Sequence, residues 1–262
     1  MIELYHNGMS TCSQKVRLAL TEKNQEFNSH VFNLRAGEHK NEAYLKLNPK
    51  GVVPTLVHDT TVICESTVIN EYIDDSWPTP PLRSHDAFRR ARMRIWTKQL
   101  DEGVHAMGGV LSFALVFRHE LFNLKGKEET EKMISNLSNP EQKKFMTENV
   151  IKGLDSSFLP GAIARYKKLI MDMDKELAET EWLAGRDYSL ADVGLTPYVL
   201  RLSHLKMEWM WSDFPRIADW FERVQGRSNY QNAVAKWYNE DAISLMAEKG
   251  SEAEAHLKKI SP

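Results

Sequence analysis

The chain has 262 residues, 42% of them hydrophobic, which is enough for one large folded domain or two of ordinary size. Its formal net charge of −2 argues against bulk electrostatic attraction to nucleic acid or to an anionic membrane surface. The only cysteines are Cys12 and Cys64, so no disulfide scaffold is indicated and a reducing compartment is the simpler setting.

The N-terminal residues do not show the basic segment followed by an apolar run that marks a secretory signal. No apolar stretch approaches the roughly 20 residues that a bilayer-spanning helix needs. We therefore expect a cytoplasmic protein without a membrane segment.

The first 77 residues alternate between strand and helix patterns. Residues 2–5 predict a first strand, a loop follows, and residues 14–24 predict a helix with Val16, Ala19 and Leu20 facing inward. Residues 25–34 predict a second strand. Two strands that flank a helix predict a βαβ unit with parallel strands and a right-handed crossover.

The stretch from Lys46 to Tyr72 organises the rest of this half. Pro54 precedes a β-branched, apolar run, and proline is compatible with the start of a strand but not with its middle. A hairpin partner follows at residues 61–64, and a helical stripe begins just after Ser66. The complete order is β-α-β-α-β-β-α, which predicts a four-stranded mixed sheet.

Two features of this stretch suit a small charged peptide. A cis Val53–Pro54 bond would leave the backbone of Val53 available to pair with a peptide-like ligand. Ser66 is placed to cap a helix whose N-terminal amides can bind a carboxylate. Each feature also has a purely structural interpretation, because valine-proline often forms only a turn and serine often serves only as a cap.

The remainder of the chain is predicted to be helical. Prolines at positions 78, 80 and 81 disfavour helix and sheet and predict a linker over residues 78–85. Residues 124–158 are polar and predict an insertion of short helices and a loop. Ser189-Leu190-Ala191-Asp192 has the pattern of an N-terminal capping box.

These patterns together resemble the glutathione S-transferase superfamily. The resemblance rests on residues 48–56, on Glu65-Ser66 at this spacing, and on the capping box at Ser189. Within the superfamily, residues 65–69, 88–102 and 139–142 resemble the bacterial β-aryl etherases of lignin breakdown. The resemblance implies a thioredoxin-like glutathione-binding domain over residues 1–77 and an all-α domain with the electrophile pocket over residues 86–262.

The implied co-substrate is glutathione, with no metal. By resemblance, Val53 beside Pro54 pairs with the cysteinyl part, Glu65 meets the γ-glutamyl ammonium, and Ser66 meets the γ-glutamyl carboxylate. His39 or, alternatively, Lys40 reaches the glycyl carboxylate, although either residue is equally well interpreted as a solvated loop side chain.

The thiol-activating group is expected in the loop before the first helix, where hydroxyl donors and the helix dipole favour a thiolate. Ser10 matches the catalytic serine position of the zeta class and ranks slightly above Ser13, which matches a serine position of the etherases. Cys12 offers another chemistry, a mixed disulfide with glutathione as in omega-like members, which would make the protein a thiol transferase.

The electrophile is expected to be hydrophobic and aromatic. Candidate pocket residues are Met9, Met107, Phe113 and Phe117, although methionine and phenylalanine at helical spacing more often form plain core. By resemblance, Asp101 reaches the partner's glutathione across the interface of a homodimer.

Three functions are thus open. The first is glutathione-dependent β-aryl ether cleavage, and the second is a broad glutathione transferase or a Cys12 thiol transferase. The third is a non-catalytic protein that binds glutathione or hydrophobic ligands.

Overall fold

The computed structural model describes residues 1–261 and separates into two compact units. The first unit contains residues 1–100, 173–199 and 215–239, and the second contains residues 101–172, 200–214 and 240–261. The first unit contains the predicted βαβ and hairpin elements together with later helical segments. The boundary predicted at the proline-rich linker, with domains at 1–77 and 86–262, therefore remains a prediction about folding units.

The elements of the first half follow the predicted order. The strands and helices are β1 (Ile2–His6), α1 (Thr11–Glu22), β2 (Asn28–Val31), α2 (Glu42–Leu47), β3 (Thr55–His58), β4 (Thr61–Cys64) and α3 (Ser66–Ser76). A short 3₁₀ turn, Glu38–Lys40, precedes α2.

The second half is helical within the described residues. The helices are α4 (Ala87–Gln99), α5 (His105–Ser112), α6 (Arg118–Lys125), α7 (Lys127–Ser135), α8 (Pro140–Met146), α9 (Leu159–Leu177), α10 (Leu190–His204), α11 (Pro215–Gln225), α12 (Ser228–Ala233) and α13 (Glu240–Lys259). Wider π-type turns occur at Leu100–Val104, Phe113–Phe117 and Thr147–Lys152. The predicted insertion of short helices corresponds to α7 and α8 with the turns that follow them.

The sheet confirms the predicted four-stranded mixed topology. Its strand order is β2-β1-β3-β4, with β1 parallel to β2 and antiparallel to β3, and β3 antiparallel to β4. The prediction for the second strand was too long, because β2 covers only Asn28–Val31 and is largely exposed at the sheet edge. An edge strand has one ladder partner, so the sequence pattern around it is weakly constrained.

Helix α1 packs against α3, and the core between them and the sheet includes the fully buried Leu4, Val16, Leu56 and Ile69. The predicted inward stripe was correct but incomplete. Residues 13–20 of α1 are all buried, including Lys15 at 1% and Arg17 at 0% exposure. A helix covered on several sides cannot keep a single polar face in water, and this is why the stripe alone failed to identify these two cations.

The second unit has its own core around Leu121, Ile134 and Val150.

Residues 87–125 form a helical run that bends at Gly103, where φ is 152°. By length and composition alone, this run is long and apolar enough to cross a membrane. Half of its apolar window is buried inside the protein, and core helices of soluble proteins pass the same test.

Candidate active site

The three candidates for thiol chemistry lie at the end of the loop after β1 and in the first turn of α1. Ser10 is the N-cap of α1, and its hydroxyl oxygen accepts a hydrogen bond from the Ser13 N–H at 3.4 Å. Its own hydroxyl hydrogen has no recorded acceptor within residues 1–261. Ser13 is completely buried, and its Oγ accepts from the Asn7 N–H at 3.3 Å. The partly exposed Ser10 is therefore better placed than Ser13 to meet a ligand.

Cys12 is the second residue of the same helix, and its half-buried thiol is not part of a disulfide. Its Sγ is 3.9 Å from the Tyr198 hydroxyl on α10. Lys15 lies close by, with its ammonium 5.8 Å from the centre of the Tyr198 ring and 3.4 Å from Thr67 Oγ1 in the first turn of α3. Neither Lys15 nor Tyr198 was predicted from the sequence as a site residue. The one feature of the sequence that could have indicated Lys15 is its position next to the apolar stripe of α1.

The turn before β3 presents an unpaired stretch of backbone. The Val53–Pro54 bond is cis, and no hydrogen bond is recorded for the Val53 N–H or C=O within residues 1–261. The neighbouring Val52 carbonyl is held by the Tyr44 hydroxyl at 2.5 Å and by Asn48 Nδ2 at 3.0 Å. Tyr44 and Asn48 also bond Thr55 Oγ1, so they fix this turn in place.

The start of α3 corrects the predicted cap. Ser66 is the first residue of the helix, and the N-cap is Glu65, whose side chain makes no capping bond. Glu65 has φ at +69°, a backbone conformation that non-glycine residues rarely adopt and that is often found at functional sites. Its Oε1 pairs with Lys50 Nζ at 2.7 Å. A helix whose first turn has no side-chain cap is suited to an anionic ligand.

The two candidates for the glycyl carboxylate differ in their surroundings. The His39 Nδ1 atom is buried without a hydrogen-bond partner among the described residues. Burial, with smaller contributions from Lys40 and Arg35, lowers the pKa of His39. Lys40 Nζ instead donates to the Lys50 carbonyl at 3.2 Å. His39 thus has a buried nitrogen without a partner among the described residues, whereas the Lys40 ammonium already donates to a carbonyl of the turn before β3.

The remaining candidates fall in both units. Met9 belongs to the first unit, and its N–H donates to Asn7 Oδ1 at 3.0 Å. Asp101 is exposed on the π-type turn after α4, and Met107 is half-buried on α5. Phe113 packs on the core of the second unit, with ring centres 5.1 Å from Phe117 and 5.5 Å from Phe145. The electrophile pocket therefore stays a prediction, and Phe113 shows the core packing that such a residue commonly has.

Two family models match this chain. The glutathione S-transferase N-terminal domain matches residues 9–76, and the glutathione S-transferase C-terminal domain matches residues 150–223. The first match includes the serine loop, the cis-proline turn and the start of α3. The chain belongs to the glutathione S-transferase family.

Individual relatives show which members of the family this chain resembles. Protein LigF of Sphingobium sp. strain SYK-6 is 27% identical over 95% of this chain and 98% of its own length. The crystal structure of the β-etherase LigF from that strain superposes with a TM-score of 0.79 at 28% identity, covering 88% of this chain and 98% of that one. Glutathione S-transferase TCHQD of Arabidopsis thaliana is 26% identical over 91% of each chain.

Proposed function

We propose that this protein transfers glutathione to an electrophilic carbon and that its reaction is the cleavage of a β-aryl ether. The observation that carries the proposal is the similarity to the β-etherase LigF along 95% of the chain, with a TM-score of 0.79. In this reaction the glutathione sulfur forms a carbon–sulfur bond while the carbon–oxygen bond breaks. The phenolate leaves with the electron pair and then takes up a proton.

Glutathione binding uses the first unit. The unpaired Val53 backbone beside Pro54 receives the cysteinyl part, and the α3 N-terminus at Ser66 receives the γ-glutamyl carboxylate. Glu65, held near the site by its strained backbone, receives the γ-glutamyl ammonium once its bond to Lys50 is exchanged. The unmatched His39 nitrogen supports this residue, ahead of Lys40, as the partner of the glycyl carboxylate.

Thiol activation is assigned to Ser10. A free thiol has a pKa of about 8.5, so only a few per cent is ionised at neutral pH. A hydroxyl that donates to sulfur and the N-terminal end of α1 both favour the thiolate. Ser10 offers a hydroxyl hydrogen without a recorded acceptor, whereas Ser13 is buried beneath the loop.

The electrophile is a hydrophobic, aromatic ether that contacts Met9, Met107, Phe113 and Phe117. The active form is a homodimer in which Asp101 reaches the partner's glutathione. Large exposed apolar side chains on β4, α3 and α4 support a face for a second copy; they are Val62, Val68, Phe88 and Ile95. The setting is the cytoplasm of a bacterium.

A second candidate is a thiol transferase that works through Cys12. The Tyr198 hydroxyl at 3.9 Å from the sulfur favours it, because a hydroxyl donor can stabilise a thiolate. A broad-specificity transferase differs from the etherase only in the electrophile. A non-catalytic glutathione-binding protein would bind the tripeptide without turnover.

The test compares Ser10→Ala, Ser13→Ala and Cys12→Ser in steady-state turnover of an aryl ether with glutathione. We expect Ser10→Ala to lower kcat about 100-fold, within the usual range for a lost thiolate-stabilising donor. The other two variants should keep kcat within about threefold. Near-complete loss in Cys12→Ser with retention in Ser10→Ala would instead establish the thiol transferase.

A further inference from the structure

Arg17 is a buried cation that binds backbone instead of a counter-ion. Its Nε donates to the Ala233 carbonyl at 2.7 Å, and its Nη2 donates to the Gly8 carbonyl at 2.8 Å. Its Nη1 donates to the Asn7 carbonyl at 3.1 Å and to His6 Nδ1 at 3.0 Å. None of these recorded partners is a carboxylate. Burial lowers the pKa of Arg17 to about 9, which still leaves it charged at neutral pH.

His6 completes the network as a neutral acceptor. Its Nδ1 accepts from Arg17, and its Nε2 lies 2.8 Å from Ser29 Oγ, which fits a hydrogen on Nε2. Burial, followed by the charges of Arg17 and His30, lowers the pKa of His6 to about 3. The imidazole is therefore uncharged at neutral pH and offers Arg17 a fixed lone pair.

The same contacts reach the loop that carries Ser10. The Asn7 carbonyl accepts from both Arg17 Nη1 and the Ser10 N–H, the second at 3.4 Å. Gly8 lies so close to the Trp237 carbonyl that a Cβ would be 2.7 Å from it. Trp237 also covers the Arg17 guanidinium at 5.0 Å from its ring centre. One side chain thus joins residues 6–8 to the segment 233–237.

Burying a charge is costly unless its donors are satisfied, so a buried arginine fixes the groups that it binds. The planar fork of a guanidinium satisfies several acceptors in one geometry, which an ammonium cannot reproduce. We propose that Arg17 is a positioning residue for thiol activation: it fixes the Asn7–Gly8 backbone so that the Ser10 hydroxyl meets the sulfur of bound glutathione. This role rests on the proposed function.

The test uses Arg17→Lys and Arg17→Met and separates binding from ionisation. Binding is measured by calorimetry with S-methylglutathione, which has no thiol. Ionisation is measured from the ultraviolet absorbance of the thiolate of bound glutathione against pH, after subtraction of the S-methylglutathione complex. The subtraction removes the absorbance changes that come from other ionisable groups near the loop. These groups are His6 on β1, His30 on β2, Cys12 and Lys15 on α1, and Tyr198 on α10.

We expect both variants to bind S-methylglutathione within about threefold of the wild type, because Val53, Glu65 and Ser66 lie on other elements. The midpoint of thiol ionisation should rise by about one pH unit, with a fall in kcat of about tenfold at pH 6.5.

Arg118→Lys is the matched control. Its guanidinium also donates to two carbonyls, those of Val150 and Ile151, and covers the ring of Phe122, but it has no recorded contact with the loop.

A folded Arg17→Lys protein that titrates like the wild type overturns the proposal. If neither Arg17 variant folds, Trp237→Leu decides the matter, since it uncovers the guanidinium without removing a loop hydrogen bond. Trp237→Leu should then raise the midpoint by a smaller amount, and an unchanged midpoint overturns the proposal. If the wild-type protein binds no glutathione, the proposed function itself is refuted. That result differs from the ones that refute only the positioning role of Arg17, in which the wild type still binds glutathione.

Discussion

At the residue scale, His39 is a side chain with an unmatched buried nitrogen. A carboxylate beside it would favour the imidazolium, but burial holds the free pKa below its ordinary 6.5. The affinity for glutathione should therefore rise as pH falls towards this lowered pKa of the free protein, and it should level off below it. We expect His39→Gln to remove the rise and to weaken binding about tenfold at pH 6, as for a lost charge-assisted hydrogen bond. Calorimetry with S-methylglutathione measures the affinity of the wild type and of His39→Gln as a function of pH.

The dipeptide γ-glutamylcysteine supplies the control for His39, because it has no glycyl carboxylate. His39→Gln should bind the dipeptide as the wild type does, and Lys40→Gln should change neither affinity by more than about twofold. Equal tripeptide affinity in wild type and His39→Gln at every pH would transfer the role away from His39.

Single residues also show where sequence patterns suffice. The Asn48–Leu56 segment predicted a turn with a cis proline, and Glu65-Ser66 predicted a helix start, and the structure has both features there, whereas their contacts with glutathione stay a prediction. The cap was misassigned because serine before an apolar stripe is the usual N-cap, whereas here Glu65 adopts φ of +69° and Ser66 moves into the helix. A positive φ at a glutamate follows from its tertiary surroundings, which no local pattern contains.

At the scale of elements, the start of α10 depends on one carboxylate. Asp192 Oδ1 accepts from the Leu183 N–H at 3.0 Å and from Trp220 Nε1 at 2.9 Å. Its Oδ2 accepts from the Ser189 N–H at 3.0 Å and from the Ser189 hydroxyl at 3.1 Å. The capping box predicted at Ser189 is thus confirmed, and the same group also joins a loop and α11 to the helix.

We expect Asp192→Asn to lower the free energy of unfolding by about 2–4 kcal/mol, because the amide NH₂ faces two buried donors that lose their acceptor. Urea unfolding followed by circular dichroism measures the change. Asp187→Asn, an exposed change in the preceding loop, should stay within about 0.5 kcal/mol of the wild type. A similarly small change in Asp192→Asn would show that the carboxylate is dispensable.

Helix α1 shows the limit of an amphipathic pattern. Its apolar stripe predicted the helix and its inward residues, but Lys15 and Arg17 are buried beside them. Their partners, Tyr198 and the segment 233–237, lie more than 180 residues away in sequence. An apolar stripe at helical spacing identifies the one face of a helix that packs on its neighbour. When distant segments of the chain also cover the other faces, the stripe does not predict which polar residues on those faces are buried.

At the scale of the whole molecule, the family, the mixed sheet and the helical second half were predictable from the sequence. The division into compact units was not, since residues 173–199 and 215–239 join the first unit. Long-range packing such as that of α12 on α1 leaves no periodic signal in either segment. The electrophile side of the reaction depends on such packing and therefore stays a prediction.

The central claim is that glutathione drives cleavage of a β-aryl ether. The most direct measurement is phenol release from a fluorogenic β-aryl ether, with and without glutathione, combined with mass spectrometry of the second product. We expect release only with glutathione, together with one equivalent of the thioether. Glutathione binding without phenol release would contradict the etherase activity, and release without a thioether would contradict attack by the glutathione sulfur.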